Sequence, residues 1–192
     1  MKVIIACLNS KFVHSSLAPW CLFSGVKAFG NKHDTKVMEC TINSNIIDFA
    51  ESILSEKPQI LSFSCYIWNI EKTLEVCKYI KSKSNIIIVL GGPEVAYRAK
   101  NVLENYNFID FVLSGEGEET YPLLLDVLFR NGDLSTVSGL SYRNSGEIIS
   151  IPEKEYIPKQ WIPNVFRLQP HNQICAWRQG WILDDICAKN LM

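Results

Sequence analysis

Short apolar runs alternate with longer segments of helical spacing along most of this chain. The runs at 2–8, 36–40, 60–65, 86–90 and 109–113 are rich in β-branched and aliphatic residues. The last two are apolar on both faces, as a parallel strand covered above and below by helices requires. Between and after them, residues 16–29, 45–56, 70–82, 97–104 and 118–129 bring apolar positions back every three or four residues and predict helices. In the second of these, Ile46, Ile47, Phe49, Ala50, Ile53 and Leu54 carry the stripe, and Pro58 closes it. Gly30 and Asn131-Gly132 are the expected stops of the first and last helices. Strand and helix in repeated alternation predict βαβ crossovers, so the fold class is α/β with a parallel sheet. Residues 139–143, a turn at Asn144-Ser145-Gly146 and residues 147–149 then predict a small hairpin.

The pattern changes after Ser150, where Pro152, Pro158, Pro163 and Pro170 accompany Trp161, Trp177 and Trp181. Residues 1–150 therefore read as one domain, and 151–192 as a linker or the stump of another. A chain of 192 residues that is 47% hydrophobic can fill one such core. Its net charge of −1 provides no field to attract nucleic acid or an anionic membrane, so neither is expected as a partner. The first apolar run is broken by Asn9-Ser10-Lys11, too early for a signal peptide, and a cytoplasmic location is the expectation. Seven cysteines occur without CxxC or CxxxCxxC spacing and read as reduced, buried small hydrophobes. Cys65, at a strand end, is the one expected to face a ligand.

Ligands of open α/β sheets bind at the carboxyl ends of the strands. Four segments converge there: residues 9–16 after the first strand, 64–69 after the third, Gly91-Gly92-Pro93-Glu94 after the fourth and Ser114-Gly115-Glu116-Gly117-Glu118 after the fifth. They offer small residues, hydroxyls, the imidazole of His14 and the rings of Tyr66 and Trp68, a mixture suited to a large, flat ligand with polar edges. His14 reads either as a packing residue or as a ligand, and Tyr66 and Trp68 either as packing residues or as stacking platforms. Glu116, Glu118 and Glu119 oppose a phosphate at the last turn, which argues against a dinucleotide site. Those acids suit the helix dipole, and Glu118 could also accept a proton from a ligand. No GxSxG occurs, and no acidic residue follows the first strand, so hydrolase and receiver-like chemistry have no support.

Residues 11–18 (Lys-Phe-Val-His-Ser-Ser-Leu-Ala), 62–69 (Ser-Phe-Ser-Cys-Tyr-Ile-Trp-Asn), Leu90-Gly91-Gly92-Pro93-Glu94 and 114–120 (Ser-Gly-Glu-Gly-Glu-Glu-Thr) together resemble the N-terminal cobalamin (vitamin B12)-binding domain of cobalamin-dependent radical SAM proteins. Among these, it resembles the anaerobic magnesium-protoporphyrin IX monomethyl ester oxidative cyclases. The resemblance covers residues 1–150. It implies a flavodoxin-like (Rossmann-like), doubly wound parallel sheet of five strands in the order 2-1-3-4-5, with the hairpin and extension following. It further implies cobalamin across the carboxyl edge: Asn9, Ser10, His14 and Ser15 below the corrin, Ser64, Cys65, Gly91 and Gly92 around the nucleotide tail, and Gly115, Glu116, Gly117 and Glu118 at its far end. Tyr66, Trp68, Pro93 and Glu94 complete the expected contact set.

The chain departs from related families in two places. The DxHxxG motif that supplies an axial histidine in methyltransferase and mutase domains is absent, which leaves His14 as a hypothetical cobalt ligand. The CxxxCxxC that would hold a 4Fe-4S cluster for S-adenosylmethionine cleavage is also absent. The expected function is therefore that of a cobalamin-binding domain of a methyltransferase or oxidative cyclase, not catalytic alone, with a radical SAM domain of a parent chain as partner. The alternatives are a non-catalytic α/β regulatory or interaction module with a vestigial pocket, and a flavin-binding protein, which is disfavoured because no Ser/Thr-rich phosphate loop follows the first strand.

Overall fold

The computed structural model describes residues 1–10, 16–30 and 33–154. Strands β1 (Lys2–Asn9), β2 (Asp34–Thr41), β3 (Ile60–Ser64), β4 (Ile87–Gly91) and β5 (Phe111–Leu113) alternate with helices α1 (Leu17–Phe29), α2 (Ile46–Ser55), α3 (Ile70–Lys83), α4 (Pro93–Ala96) and α5 (Ala99–Asn105). Helix α6 (Gly117–Arg130), a short 3-10 turn and the hairpin strands β6 (Leu140–Asn144) and β7 (Glu147–Ser150) follow. The sheet order is β2-β1-β3-β4-β5-β6-β7. Its first five strands are parallel, in the expected order.

The sheet has seven strands where five were expected, because the hairpin joins it. β6 pairs antiparallel with β5, setting Leu113 opposite Leu140, and so covers a three-residue strand that would otherwise present a bare edge. β5 is shorter than the apolar run: at Asp110 the backbone N–H donates to the Ile88 carbonyl at 3.1 Å, but the return bond from Ile88 goes to the Asp110 side chain. Its Oδ2 accepts from the Ile88 backbone N–H at 2.7 Å and from Lys81 Nζ at 2.6 Å. The helix expected at 97–104 is the shorter α5, preceded by α4, with Tyr97 and Arg98, the latter at φ −132°, between the two. Residues 151–154 stay tied to the sheet, since Ile151 donates to the Leu140 carbonyl and Lys154 to Ser138 Oγ.

Alternation along the strands divides the core in two. Ile4, Ala6, Leu8, Leu61, Phe63, Ile88 and Leu90 pack with residues of α2, α3 and α5, while Val3, Ile5, Ile60, Val89 and Leu113 pack with residues of α1 and α6. No helix among the described residues is long and apolar enough to cross a membrane.

The cysteines of this core give the fold a pH dependence. Burial pushes the thiols of Cys7 and Cys21 up to about 12 and that of Cys40 to about 11. An unfolded thiol ionises near about 8.5, so above that pH the unfolded chain sheds protons that the folded chain keeps. The stabilisation is complete below the unfolded value and is lost as pH rises toward the folded ones. We expect the melting temperature to fall steadily above about pH 8.5, and more shallowly in Cys7→Ala. Identical alkaline slopes for the two proteins would contradict this.

Candidate functional site

On the face covered by α1 and α6, the side chains of the central strands shrink toward the carboxyl edge. Paired positions run from Ile60 and Ile87, through Ser62 and Val89, to Ser64 and Gly91, with Leu113 beside Gly91. The larger residues fill the core, and the small ones leave a slot between the two helices. This cavity of ≈ 170 Å³ is lined by Ser62, Ser64, Gly91, Gly92 and Leu113 of the sheet edge, by Ala18 and Leu22 of α1, and by Gly115, Gly117, Glu118 and Tyr121 at and within α6. An apolar cavity of about 150 Å³ accepts benzene, so this slot has room for a flat aromatic ring.

Two hydroxyls stand at the sheet floor of the slot. Ser62 Oγ and Tyr121 OH lie 2.7 Å apart, and both residues are buried. Burial pushes the Tyr121 phenol well above its ordinary value, so it stays protonated. One hydrogen bond between two hydroxyls uses one of their two protons and leaves polar capacity at the floor, in a slot whose lining also includes Ser64 and Glu118.

The two consecutive glycines have different causes. Gly91 opens the slot: a Cβ there would meet nothing nearer than the Leu113 carbonyl at 3.4 Å. Gly92 sits at φ +98°, where a Cβ would come 2.5 Å from the Cys65 carbonyl oxygen and 2.9 Å from its nitrogen. Its role is to let the turn into α4 lie against the end of β3. Pro93 then occupies the first turn of α4.

Of the residues expected from the sequence, Ser64, Gly91, Gly92, Gly115, Gly117 and Glu118 share this one cavity. Glu116 is the N-cap of α6. Glu118 also acts on Cys21, whose thiol is raised first by burial and then by that carboxylate. Tyr66 and Trp68 stack on each other with centroids 4.6 Å apart and planes 5° apart, and Trp68 is half exposed. Asn9 ends β1 and Ser10 follows it, with the Asn9 amide donating to Glu39. His14 and Ser15 lie outside the described residues.

Among the expected residues outside the slot, Cys65 and Glu94 belong to other surroundings. Cys65 is fully buried in the opposite core, because alternation along β3 sends Ser62 and Ser64 to one face and Phe63 and Cys65 to the other. Glu94 pairs with Arg98 one helical turn on and borders a separate groove with Ile67 and Glu71.

The sequence reading did not assign Ala18, Leu22, Ser62, Leu113 or Tyr121 to the site, and of these Ala18, Leu22 and Tyr121 come together only when α1 packs on α6. It also missed Asn69, a buried side chain that clamps the edge. Asn69 Nδ2 donates to the carbonyls of Leu8 and Ser64, both at 3.1 Å, and its Oδ1 accepts from the Tyr66 backbone at 2.8 Å. Asn69 stands at the N-cap of α3 without a side-chain capping hydrogen bond, its amide bridging the strand ends instead.

Comparison with known proteins agrees with this geometry. Over 105 residues the chain is 33% identical to the cobalamin-dependent radical SAM methyltransferase TokK of Streptomyces tokunonensis, covering 54% of this chain and 15% of that protein. It is 32% identical over 102 residues to the anaerobic magnesium-protoporphyrin IX monomethyl ester cyclase of Synechocystis sp., covering 53% of this chain and 18% of that protein. The chain thus matches less than a fifth of either relative's length. The fold matches that of the radical S-adenosylmethionine methyltransferase TsrM from Kitasatospora setae, solved with cobalamin and a 4Fe-4S cluster bound. That superposition has a TM-score of 0.69 at 13% identity and covers 83% of this chain and 30% of TsrM. The model of the B12 binding domain matches residues 3–125, from β1 into α6. The chain belongs to the B12 binding domain family.

Proposed function

We propose that this chain holds cobalamin at the carboxyl edge of its sheet, with the nucleotide tail in the slot between α1 and α6. The observation that carries the reading is the slot itself, a ring-sized cavity with the Ser62 and Tyr121 hydroxyls at its floor and Ser64 and Glu118 also in its lining. Ser64, Gly91, Gly115, Gly117 and Glu118 would hold the tail together with Ser62, Leu22 and Tyr121. Asn9, Ser10, His14 and Ser15, with the Tyr66–Trp68 stack, would serve the corrin. Cobalamin supplies a cobalt centre able to carry a methyl group or an electron, while the protein binds and orients it.

We further propose that the domain works beside a radical SAM domain of a larger methyltransferase or cyclase, with residues 151–192 belonging to the connection. The names of the relatives and the small share of their length matched here support this.

Titration with hydroxocobalamin, followed by the visible spectrum, tests the reading. Saturable binding is expected; no spectral change at high-micromolar cobalamin would leave the vestigial-pocket alternative standing. His14→Ala should alter the spectrum of the bound cobalt, and an unchanged spectrum removes His14 from the ligand set.

A further inference from the structure

Gly25 stands inside α1, where glycine weakens a helix relative to alanine. Packing explains its presence. A Cβ at Gly25 would lie 2.1 Å from the carbonyl oxygen of Glu118 and 2.9 Å from the carbonyl carbon, so α1 and the first turn of α6 touch backbone to backbone. One turn earlier in α1, Leu22 lies against a second glycine. A Cβ at Gly117 would come 2.5 Å from Leu22 Cδ2.

Both contacts border the slot. Leu22, Gly117 and Glu118 belong to its lining, and Tyr121, one turn beyond Glu118, carries a hydroxyl of its floor. Side chains ordinarily set the spacing of packed helices, at about 8–10 Å between axes. At Gly25 the two backbones set it instead, and no rotamer change can adjust it. A slot held at fixed width is preorganised for a ligand of one thickness.

We infer that Gly25 and Gly117 are positioning residues that set the gap between α1 and α6, and through it select the flat base of the nucleotide tail. The inference rests on the proposed cobalamin reading and adds to it the device that fixes the width of the slot. Gly25 lies outside the lining and acts through the placement of Leu22 and Glu118. Gly117 acts by letting Leu22 lie flat against the start of α6.

Two substitutions test this, each followed by thermal melting and by affinity for hydroxocobalamin and for cobinamide, which lacks the nucleotide tail. Gly25→Ala should melt at a lower temperature than the wild type, although alanine is the better helix former. Its affinity for hydroxocobalamin should fall about tenfold, as expected when an apolar wall moves off its ligand, with that for cobinamide unchanged. Gly117→Ala meets only the tip of a leucine side chain, so it should fold normally and show a smaller loss confined to hydroxocobalamin. The double variant Gly117→Ala/Leu22→Ala should bind no more weakly than Leu22→Ala alone, because the leucine that the new methyl displaces is gone. A melting temperature equal to or above that of the wild type in Gly25→Ala, with both affinities unchanged, overturns the inference. So does equal weakening toward the two corrinoids, which would make the glycines residues of the fold alone, or additive losses in the double variant. Should Gly25→Ala fail to fold, Gly117→Ala and the double variant decide the matter by the same criteria. Failure of the wild-type protein to bind any corrinoid, in contrast, would sink the cobalamin reading and this inference together.

Discussion

Gly91→Leu is expected to leave the protein folded and to weaken cobalamin binding by about 10- to 100-fold, the equivalent of losing the burial of one aromatic ring. The added side chain starts from a strand position whose Cβ meets only the Leu113 carbonyl, at 3.4 Å, so the backbone has no reason to move. From there it points into the ≈ 170 Å³ slot and occupies space the tail would need. Gly91→Ala takes less of that space and should fall between leucine and wild type. Thermal melting and hydroxocobalamin titration of the three proteins check this. Undiminished affinity in the leucine variant would mean that the slot does not receive the cofactor.

The neighbouring glycine should behave in the opposite way. Gly92→Ala is expected to destabilise the fold by about 3 kcal/mol, from an unfavourable backbone conformation and a steric conflict together. In a chain of this length that lowers the melting temperature by about 6–12 °C. The cause is local: at φ +98° the new methyl would lie 2.5 Å from the backbone oxygen of Cys65, and neither partner is a flexible side chain. Urea denaturation measures the effect directly. A loss below about 1 kcal/mol would show that the β4–α4 turn relaxes freely, contrary to the close approach described. Two adjacent glycines, one serving the cofactor and one serving the fold, should thus separate cleanly by experiment.

The parallel sheet was legible because its strands are apolar on both faces and its helices carry amphipathic spacing. Both signals are local. The attachment of β6 to β5 was not, since it depends on an exposed edge that exists only after the sheet has formed. The same distinction applies to the site. Gly91, Gly115 and Gly117 announce a close approach through their residue type, but Tyr121 looks like any aromatic residue on the apolar face of a helix. Only the packing of α6 over β3 brings its hydroxyl to Ser62. Cys65 shows a third limit: alternation puts it opposite Ser64, but which face meets α1 and α6 is set by the helix crossovers. Glu39 lies inside a predicted strand, and its donors Ser16 and Trp20 come beside it only once α1 is packed.

The central claim is that the slot between α1 and α6 recognises the nucleotide tail of cobalamin. It is tested most directly by parallel calorimetric titrations of the wild-type protein with hydroxocobalamin and with cobinamide. The account predicts saturable one-to-one binding of hydroxocobalamin and affinity for cobinamide about 10- to 100-fold weaker, because the tailless corrinoid leaves the slot unused. Equal affinities for the two, or no heat of binding with hydroxocobalamin at high-micromolar concentration, would contradict it.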